Sequence, residues 1–223
     1  PVYNVDLGNS MYAAPMIFDQ QGQGDNDYSF FFMGDNDGDS KMVAYAYNFS
    51  ATKHFISKYF FNGFAPKNAQ GGGMHVIPTV TDLNGRGFAS DIVSGHAYGR
   101  LMRVVNRGNV THSYWTTDND IFDHIDVNPG IFYDTGCTQP CSLDGTCKAC
   151  CGAHPAFADL DNDTDIDLII GDHMGKIHYY KNNGDKNTPD FKTDNPQTGT
   201  NDPFNSIDVG ACAAPSFVDV DSM

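Results

Sequence analysis

The stretch Pro155–Gly184, PAFADLDNDTDIDLIIGDHMGKIHYYKNNG, decides how the rest of the chain is read. Asp occupies positions 159, 161, 163, 165 and 167, and the apolar run Leu168-Ile169-Ile170 follows directly. Carboxylates at alternate positions of a tight turn converge, and their mutual repulsion needs a cation to offset it. Oxygen-only donors favour a hard ion, Ca2+, over zinc or copper. The loop is not an EF-hand: that loop closes with a bidentate Glu at its twelfth position, and counted from Asp159 this position is Ile170.

Outward from this stretch the same order of residue types recurs. AAPMIFD (13–19), VIPTVTD (76–82), AHPAFAD (153–159) and AAPSFVD (213–219) each carry Pro, then apolar residues, then Asp. Their prolines at 15, 78, 155 and 215 are spaced by 63, 77 and 60 residues, and removing the Cys-rich segment 137–151 from the long interval restores a period of about 60. After each Asp-rich loop comes a short apolar strand ending in Gly: FFFMGD (30–35), DIVSGH (91–96) and DLIIGD (167–172). A third strand ends near Asn: MVAYAYN (42–48), RLMRVVN (100–106) and KIHYYKN (176–182). A more polar fourth strand is expected at HFISKYFF (54–61), THSYWTT (111–117) and PDFKT (189–193). Aromatic and β-branched runs punctuated by Gly, Asn and Asp are strand-and-turn signatures, and amphipathic helical spacing is nowhere sustained.

The expected fold is therefore all-β, built from β-propeller blades of four antiparallel strands. Residues 15–77, 78–154 (with the insertion 137–151) and 155–214 read as blades, 1–14 as the end of a preceding blade and 215–223 as the start of a further one. VDLGNSMYAAP (5–15) parallels IDVGACAAP (207–215), which supports that division. Three blades cannot close a ring, so the expectation is a portion of a longer propeller or one completed by neighbouring chains. The first residue, Pro1, points the same way, towards a processed or incomplete chain.

FADLDNDTDIDLIIGDHMGKIHYYKNNG resembles the FG-GAP/VCBS-type repeats of integrin-α-like β-propellers, in which a D-x-D-x-D-G-x-x-D calcium loop joins the first two strands of a blade. The resemblance extends to 213–221 and, in degenerate form, to the first two units. It implies side-chain ligands at Asp159, Asp161, Asp163 and Asp167, with the backbone carbonyl of Asp165 facing the ion. Thr164 stands where that pattern prefers Gly, and a β-branched residue with positive φ is strained. It also implies that such a module serves attachment and recognition.

The other loops differ in donor set. Asp19, Gln21, Gln23 and Asp27 keep the one-three-five-nine spacing with two neutral amides, which predicts weaker calcium binding. Asp219 and Asp221 open an intact motif. Asp82 and Asn84 are followed by Arg86, with Asp91 one residue late, so a cationic side chain is expected to replace the ion there. Asp35, Asp37 and Asp39 in GDNDGDS read more simply as a polar hairpin turn than as an ion site.

Cys137, Cys141, Cys147, Cys150, Cys151 and Cys212 form an even, dense set, the pattern of a disulfide framework in an oxidising compartment. Fifteen connectivities are possible, and a bridge from Cys212 to Cys150 or Cys151 would staple one blade start to the next. Zinc is the rival reading, from Cys147-x-x-Cys150 with His154 nearby. Asn48-Phe-Ser and Asn109-Val-Thr have the spacing of glycan acceptors near strand ends; Asn162-Asp-Thr also matches, but inside the calcium loop a glycan would lack room.

No catalytic residues are assigned. The eight histidines are scattered outside any nucleophile-elbow or metalloprotease pattern. Trp115 and the tyrosines read as packing residues. With 28 acidic against 13 basic residues and a net charge of −15, nucleic acid and anionic membrane surfaces are excluded as partners. No apolar run reaches the length of a membrane span. The expectation is an extracellular, calcium-stabilised, non-catalytic scaffold or adhesion module. Its partners would be a protein, a glycan or copies of itself, with assembly into a surface or fibre. The alternative is part of a secreted polysaccharide-acting enzyme whose catalytic groups lie elsewhere.

Overall fold

The computed structural model describes residues 15–20, 28–33, 42–48, 54–61, 77–87, 90–95, 99–109, 114–118, 120–127, 152–192 and 196–218, the first four segments as strand backbone alone. Gln21, Gln23, Asp27, Asp219, Asp221, the Asp35–Asp39 turn and the five clustered cysteines lie outside the described residues. Among the described residues the fold is all-β, without α-helices, in three antiparallel sheets. The first contains β1 (Pro15–Gln20), β2 (Tyr28–Met33), β3 (Met42–Asn48) and β4 (His54–Phe61) in chain order. The second repeats this order with β5 (Ile77–Thr81), β6 (Asp91–Gly95), β7 (Leu101–Asn106) and β8 (Trp115–Thr117). The third has three strands, β9 (His154–Ala158), β10 (Asp167–Gly171) and β11 (Ile177–Tyr180).

Corresponding strands pair in corresponding register: Thr81 faces Asp91 as Ala158 faces Asp167, and Ile77 faces Gly95 as His154 faces Gly171. The central strands explain why their sequences are continuous apolar runs rather than alternations, because every residue of β6 and β10 is buried. Successive side chains point to opposite faces. Leu168 and Ile170 therefore join Val93, Leu101, Phe122, Ile125 and Phe191 in one core, while Ile169, on the other face, is also fully buried. Burial of each such side chain stabilises by roughly 1.5–3 kcal/mol. That fixes both ends of the loop that precedes β10.

The sheets follow one another in space as in sequence, with β5 against β1 and β2 and β9 against β5 and β6. Their junctions repeat. A Cβ built on Gly95 would lie 1.9 Å from the Ala153 carbonyl oxygen and 2.9 Å from Pro155 Cδ; on Gly171 it would lie 2.1 Å from the Ala213 carbonyl oxygen and 2.7 Å from Pro215 Cδ. At both of these junctions an Ala-x-Pro, Ala153–Pro155 or Ala213–Pro215, thus seats on the Gly that ends the previous second strand. Phe122 meets Phe157 at 6.5 Å between ring centroids, and Phe204 meets Phe217 at 6.3 Å. Closure of the sheets into a ring is not present among the described residues.

The expected strand at 189–193 does not form over its described part, Pro189–Lys192. Asn182 Oδ1 accepts from Asp190 N (2.8 Å) and Asn183 N donates to the Asp190 carbonyl, which closes this segment into a loop. Phe191 then turns inward and stacks on Phe122 at 5.6 Å. The chain instead runs beside β11 at Gln197, whose N donates to the Tyr179 carbonyl, as Asp118 N donates to Arg103 beside β7.

A second segment also repeats, outside the strands. Phe122-Asp-His-Ile-Asp-Val127 and Phe204-Asn-Ser-Ile-Asp-Val209 have the same bonds: Ile125 N to Phe122 O and Ile207 N to Phe204 O, then Val127 N to Gly99 O and Val209 N to Gly175 O. Arg100–Asp126 and Lys176–Asp208 are equivalent ion pairs, each at 3.4 Å. Twenty-five residues separate Val127 from Ala153, whereas three separate Val209 from Ala213. The extra length between these anchors is therefore 22 residues, more than the 15 of segment 137–151.

Candidate metal centre

The loop from Asp159 to Ile166 joins β9 to β10, and the loop from Asp82 to Ser90 joins β5 to β6 at the same place in the second sheet. Both start from one backbone device. Asp159 accepts from Asp163 N (3.2 Å) and Thr164 N (3.0 Å), and Asp82 accepts from Arg86 N (2.9 Å) and Gly87 N (2.7 Å). Both end on a buried Asp that receives the amide of the residue after the first Asp: Leu160 N to Asp167 Oδ2 at 3.2 Å and Leu83 N to Asp91 Oδ2 at 3.1 Å. An asparagine at or just past the end of the third strand caps the next loop in both, through Gly184 N to Asn182 Oδ1 (3.0 Å) and Gly108 N to Asn106 Oδ1 (2.9 Å).

The loops diverge in the charges they hold. Asp159, Asp161 and Asp163, all exposed, offer carboxylate oxygens within 4.8 Å of one another, an arrangement that could hold a metal ion. Asp165 is 6% exposed and its Oδ1 is buried without a hydrogen-bond partner. Burial, with the neighbouring charges of Asp163, Asp167 and Asp161, pushes its carboxyl up to about 6. Burial opposes the charge of Asp163 too, but hydrogen bonds with Asp165 and Lys181 outweigh it and hold this carboxyl below its ordinary value. Asp167 sits in the sheet rather than with the exposed triad, accepting from Asn182 N and Tyr179 OH, both at 2.9 Å. Burial still raises it, because those bonds offset desolvation only in part. Five aspartates at alternate positions thus divide into three exposed donors, one buried carboxyl with an unpartnered oxygen, and one anchor.

In the second sheet a cationic side chain does meet the closing Asp, that of Arg103. Arg103 Nε lies 2.7 Å and Nη2 2.5 Å from Asp91 Oδ1, on a residue 0% exposed. The Arg86 guanidinium donates to the carbonyls of Asn106 and Gly108. Arg103 and Tyr179 occupy equivalent third-strand positions, facing Val93 and Ile169. One side chain supplies a charge to the closing Asp and the other a hydroxyl.

The turn geometry matches the strain anticipated from the sequence: Thr164 has φ 78° and Asn162 φ 62°. Asn tolerates the left-handed region, whereas a β-branched residue there costs about 1–2 kcal/mol. Thr164→Gly is therefore expected to stabilise the chain by about 1 kcal/mol after the added freedom of the unfolded chain is deducted. A rise in Tm of roughly 2–4 °C checks this, and a fall would contradict it.

The remaining sites are placed as follows. Asp19 and Asn48 lie in β1 and β3. Asn109 is exposed after β7, and Asn162 is exposed within the acidic loop. Among the described residues no helix is long and apolar enough to cross a membrane. Comparison of the chain with protein-family models, with characterised proteins and with solved structures finds no match.

Proposed function

We propose that the chain is a calcium-stabilised scaffold of β-propeller type, acting outside the cell as a non-catalytic adhesion or recognition module for a protein, a glycan or copies of itself. The Asp159–Asp167 loop holds the ion through Asp159, Asp161 and Asp163, in the manner of the FG-GAP-type repeats that its sequence resembles. The observation that carries this reading is the convergence of three carboxylates within 4.8 Å beside the buried, unpartnered Asp165 Oδ1. Such a set is repulsive by itself and becomes favourable around a divalent cation. The ion sits between two core-anchored strands, so its role is to rigidify a surface, and the surfaces do the recognising. The disulfide framework and the glycans at Asn48 and Asn109 belong to the same extracellular proposal.

Calcium is expected to raise Tm and a chelator to lower it, in a scan of the intact protein. The effect depends on pH in a definite sense. Because the folded state raises the Asp165 carboxyl to about 6, above its ordinary value of 3.8, the contribution of this group to metal-free stability is fully present at low pH and is lost as pH rises from about 4 to 6. The calcium-induced rise in Tm is therefore larger at pH 7 than at pH 5. Equal Tm values with calcium and with chelator at pH 7 would remove the metal assignment.

One observation favours an enzymatic reading on polysaccharides, but with catalytic groups in this chain rather than elsewhere. A cavity of about 290 Å3 is lined by Lys176, His178, Gln197, Asp202 and Phe204 among others, and His178 Nε2 lies 2.8 Å from the buried Asp172. A buried carboxylate that orients an imidazole is a general-base arrangement. Turnover of a polysaccharide that disappears in His178→Ala would replace the scaffold reading.

A further inference from the structure

Lys181 follows β11 and crosses back to the acidic loop, where Nζ bonds Asp161 Oδ2 and lies 3.2 Å from Asp163 Oδ2. Two of the three carboxylates that converge in the loop are therefore also the partners of one ammonium. The side chain is about one-third exposed, so it has room to leave. Its neighbours fix where it starts but not where it must stay: Tyr180 is buried in the core and Asn182 is buried beneath the loop cap. The ammonium meets Asp161 and Asp163, whereas the backbone amides of Asp163 and Thr164 hold Asp159. Asp159 thus remains committed to the turn while Asp161 and Asp163 are shared between ammonium and ion.

We propose that Lys181 is a tethered counter-ion that competes with calcium for Asp161 and Asp163, setting the affinity of the loop and leaving it when the ion binds. This rests on the calcium reading above and adds a regulating residue to it. An ammonium carries one charge and makes point contacts with two oxygens. A divalent ion gathers all three carboxylates and places twice the charge between them, so it wins once its concentration is high enough. Because both cations cannot use the same oxygens at full strength, the lysine raises the calcium concentration needed for half-saturation. It also holds the loop closed before the ion arrives, because among the described residues it is the cation that pairs with the converging aspartates. The second sheet places a cation elsewhere and permanently, with Arg103 buried against the closing Asp91, the counterpart of Asp167. The third sheet uses an exposed, displaceable amine instead.

The test compares wild type with Lys181→Met by calorimetric calcium titration and follows lysine acylation by mass spectrometry with and without calcium. Lys181→Met is expected to bind calcium at least about tenfold more tightly, the effect of removing one like charge at close range. In wild type, Lys181 is expected to become severalfold more reactive to the acylating reagent when calcium is added, while Lys186 and Lys192 do not change. Equal affinities, with Lys181 reactivity indifferent to calcium, would overturn the competition and leave the calcium reading standing. Absence of binding in both chains would overturn the calcium reading itself. Binding confined to the Met variant would support the competition in its strongest form.

Discussion

Arg103→Leu is expected to lower the stability of the chain by about 3–5 kcal/mol, because it removes one partner from a buried ion pair and strands the other. Asp91 is 0% exposed; Leu83 N and Ser90 Oγ bond its Oδ2, while Arg103 Nε and Nη2 hold Oδ1. Two neutral donors do not balance a carboxylate in the core. At 2–4 °C per kcal/mol for a chain of this size, Tm should fall by roughly 6–20 °C. Tyr179→Phe, at the equivalent position, removes a single hydrogen bond to Asp167, which still accepts from Asn182 N and Leu160 N. Its expected cost is about 1 kcal/mol. Adding Asp91→Asn to Arg103→Leu should recover part of the loss by removing the stranded charge. If chemical denaturation finds the two single variants equally destabilised, the buried pair does not hold the second loop in the way described.

The second large effect is expected at the junctions between sheets. Gly95→Ala and Gly171→Ala each place a methyl about 2 Å from a carbonyl oxygen of the next repeat, at Ala153 and Ala213. No side-chain rotation relieves an overlap with backbone, so the sheets must separate. A cost of about 3 kcal/mol or more is expected, at the upper end for overpacking. Trimming the opposing residue, as in Ala153→Gly, should not rescue Gly95→Ala, because the clash is with the main chain. A Tm within 2 °C of wild type for both variants would mean that the junctions are looser than this geometry requires.

These junctions show which features were legible in the sequence. The Pro-apolar-Asp repeat, the Gly at the end of each second strand and the Asn after each third strand were all visible. Each proved to mark a backbone requirement: a Cδ seat, a close approach, a loop cap. Such requirements admit few residue types and therefore leave a pattern. Thr164 was legible for the same reason, since its place in the turn demands a positive φ whatever its side chain. The fourth strand of the third unit was misplaced because Pro189-Asp-Phe-Lys192 has strand-like composition, whereas Asn182 and Phe191 commit it elsewhere through contacts distant in sequence. The Phe-x-x-Ile-Asp-Val segment was missed although both copies stand in the chain. It forms no strand in either copy and so carries none of the residue patterns that mark strands.

The site was legible by half. The aspartates at alternate positions announced a convergent carboxylate loop, and Asp159, Asp161 and Asp163 do converge. The division of labour that puts Asp167 into the sheet and buries Asp165 follows from the register of β10 against β9 and β11, which spacing alone does not give. Lys181 was invisible as a partner of the loop, because the contact spans 18 to 20 residues and depends on the turn between β10 and β11. In the second loop the sequence marked the need for a cationic side chain and showed Arg86 within the loop, but not Arg103, which register brings to the buried Asp91.

The central claim is that the Asp159–Asp167 loop binds calcium and that the ion rigidifies the repeat around it. Thermal unfolding of wild type and Asp163→Ala at pH 7, each with saturating calcium and with chelator, tests it most directly. Wild type is expected to show a clear calcium-dependent rise in Tm that is lost, or reduced to a small remainder, in the variant. A rise of the same size in both proteins, or in neither, would contradict it.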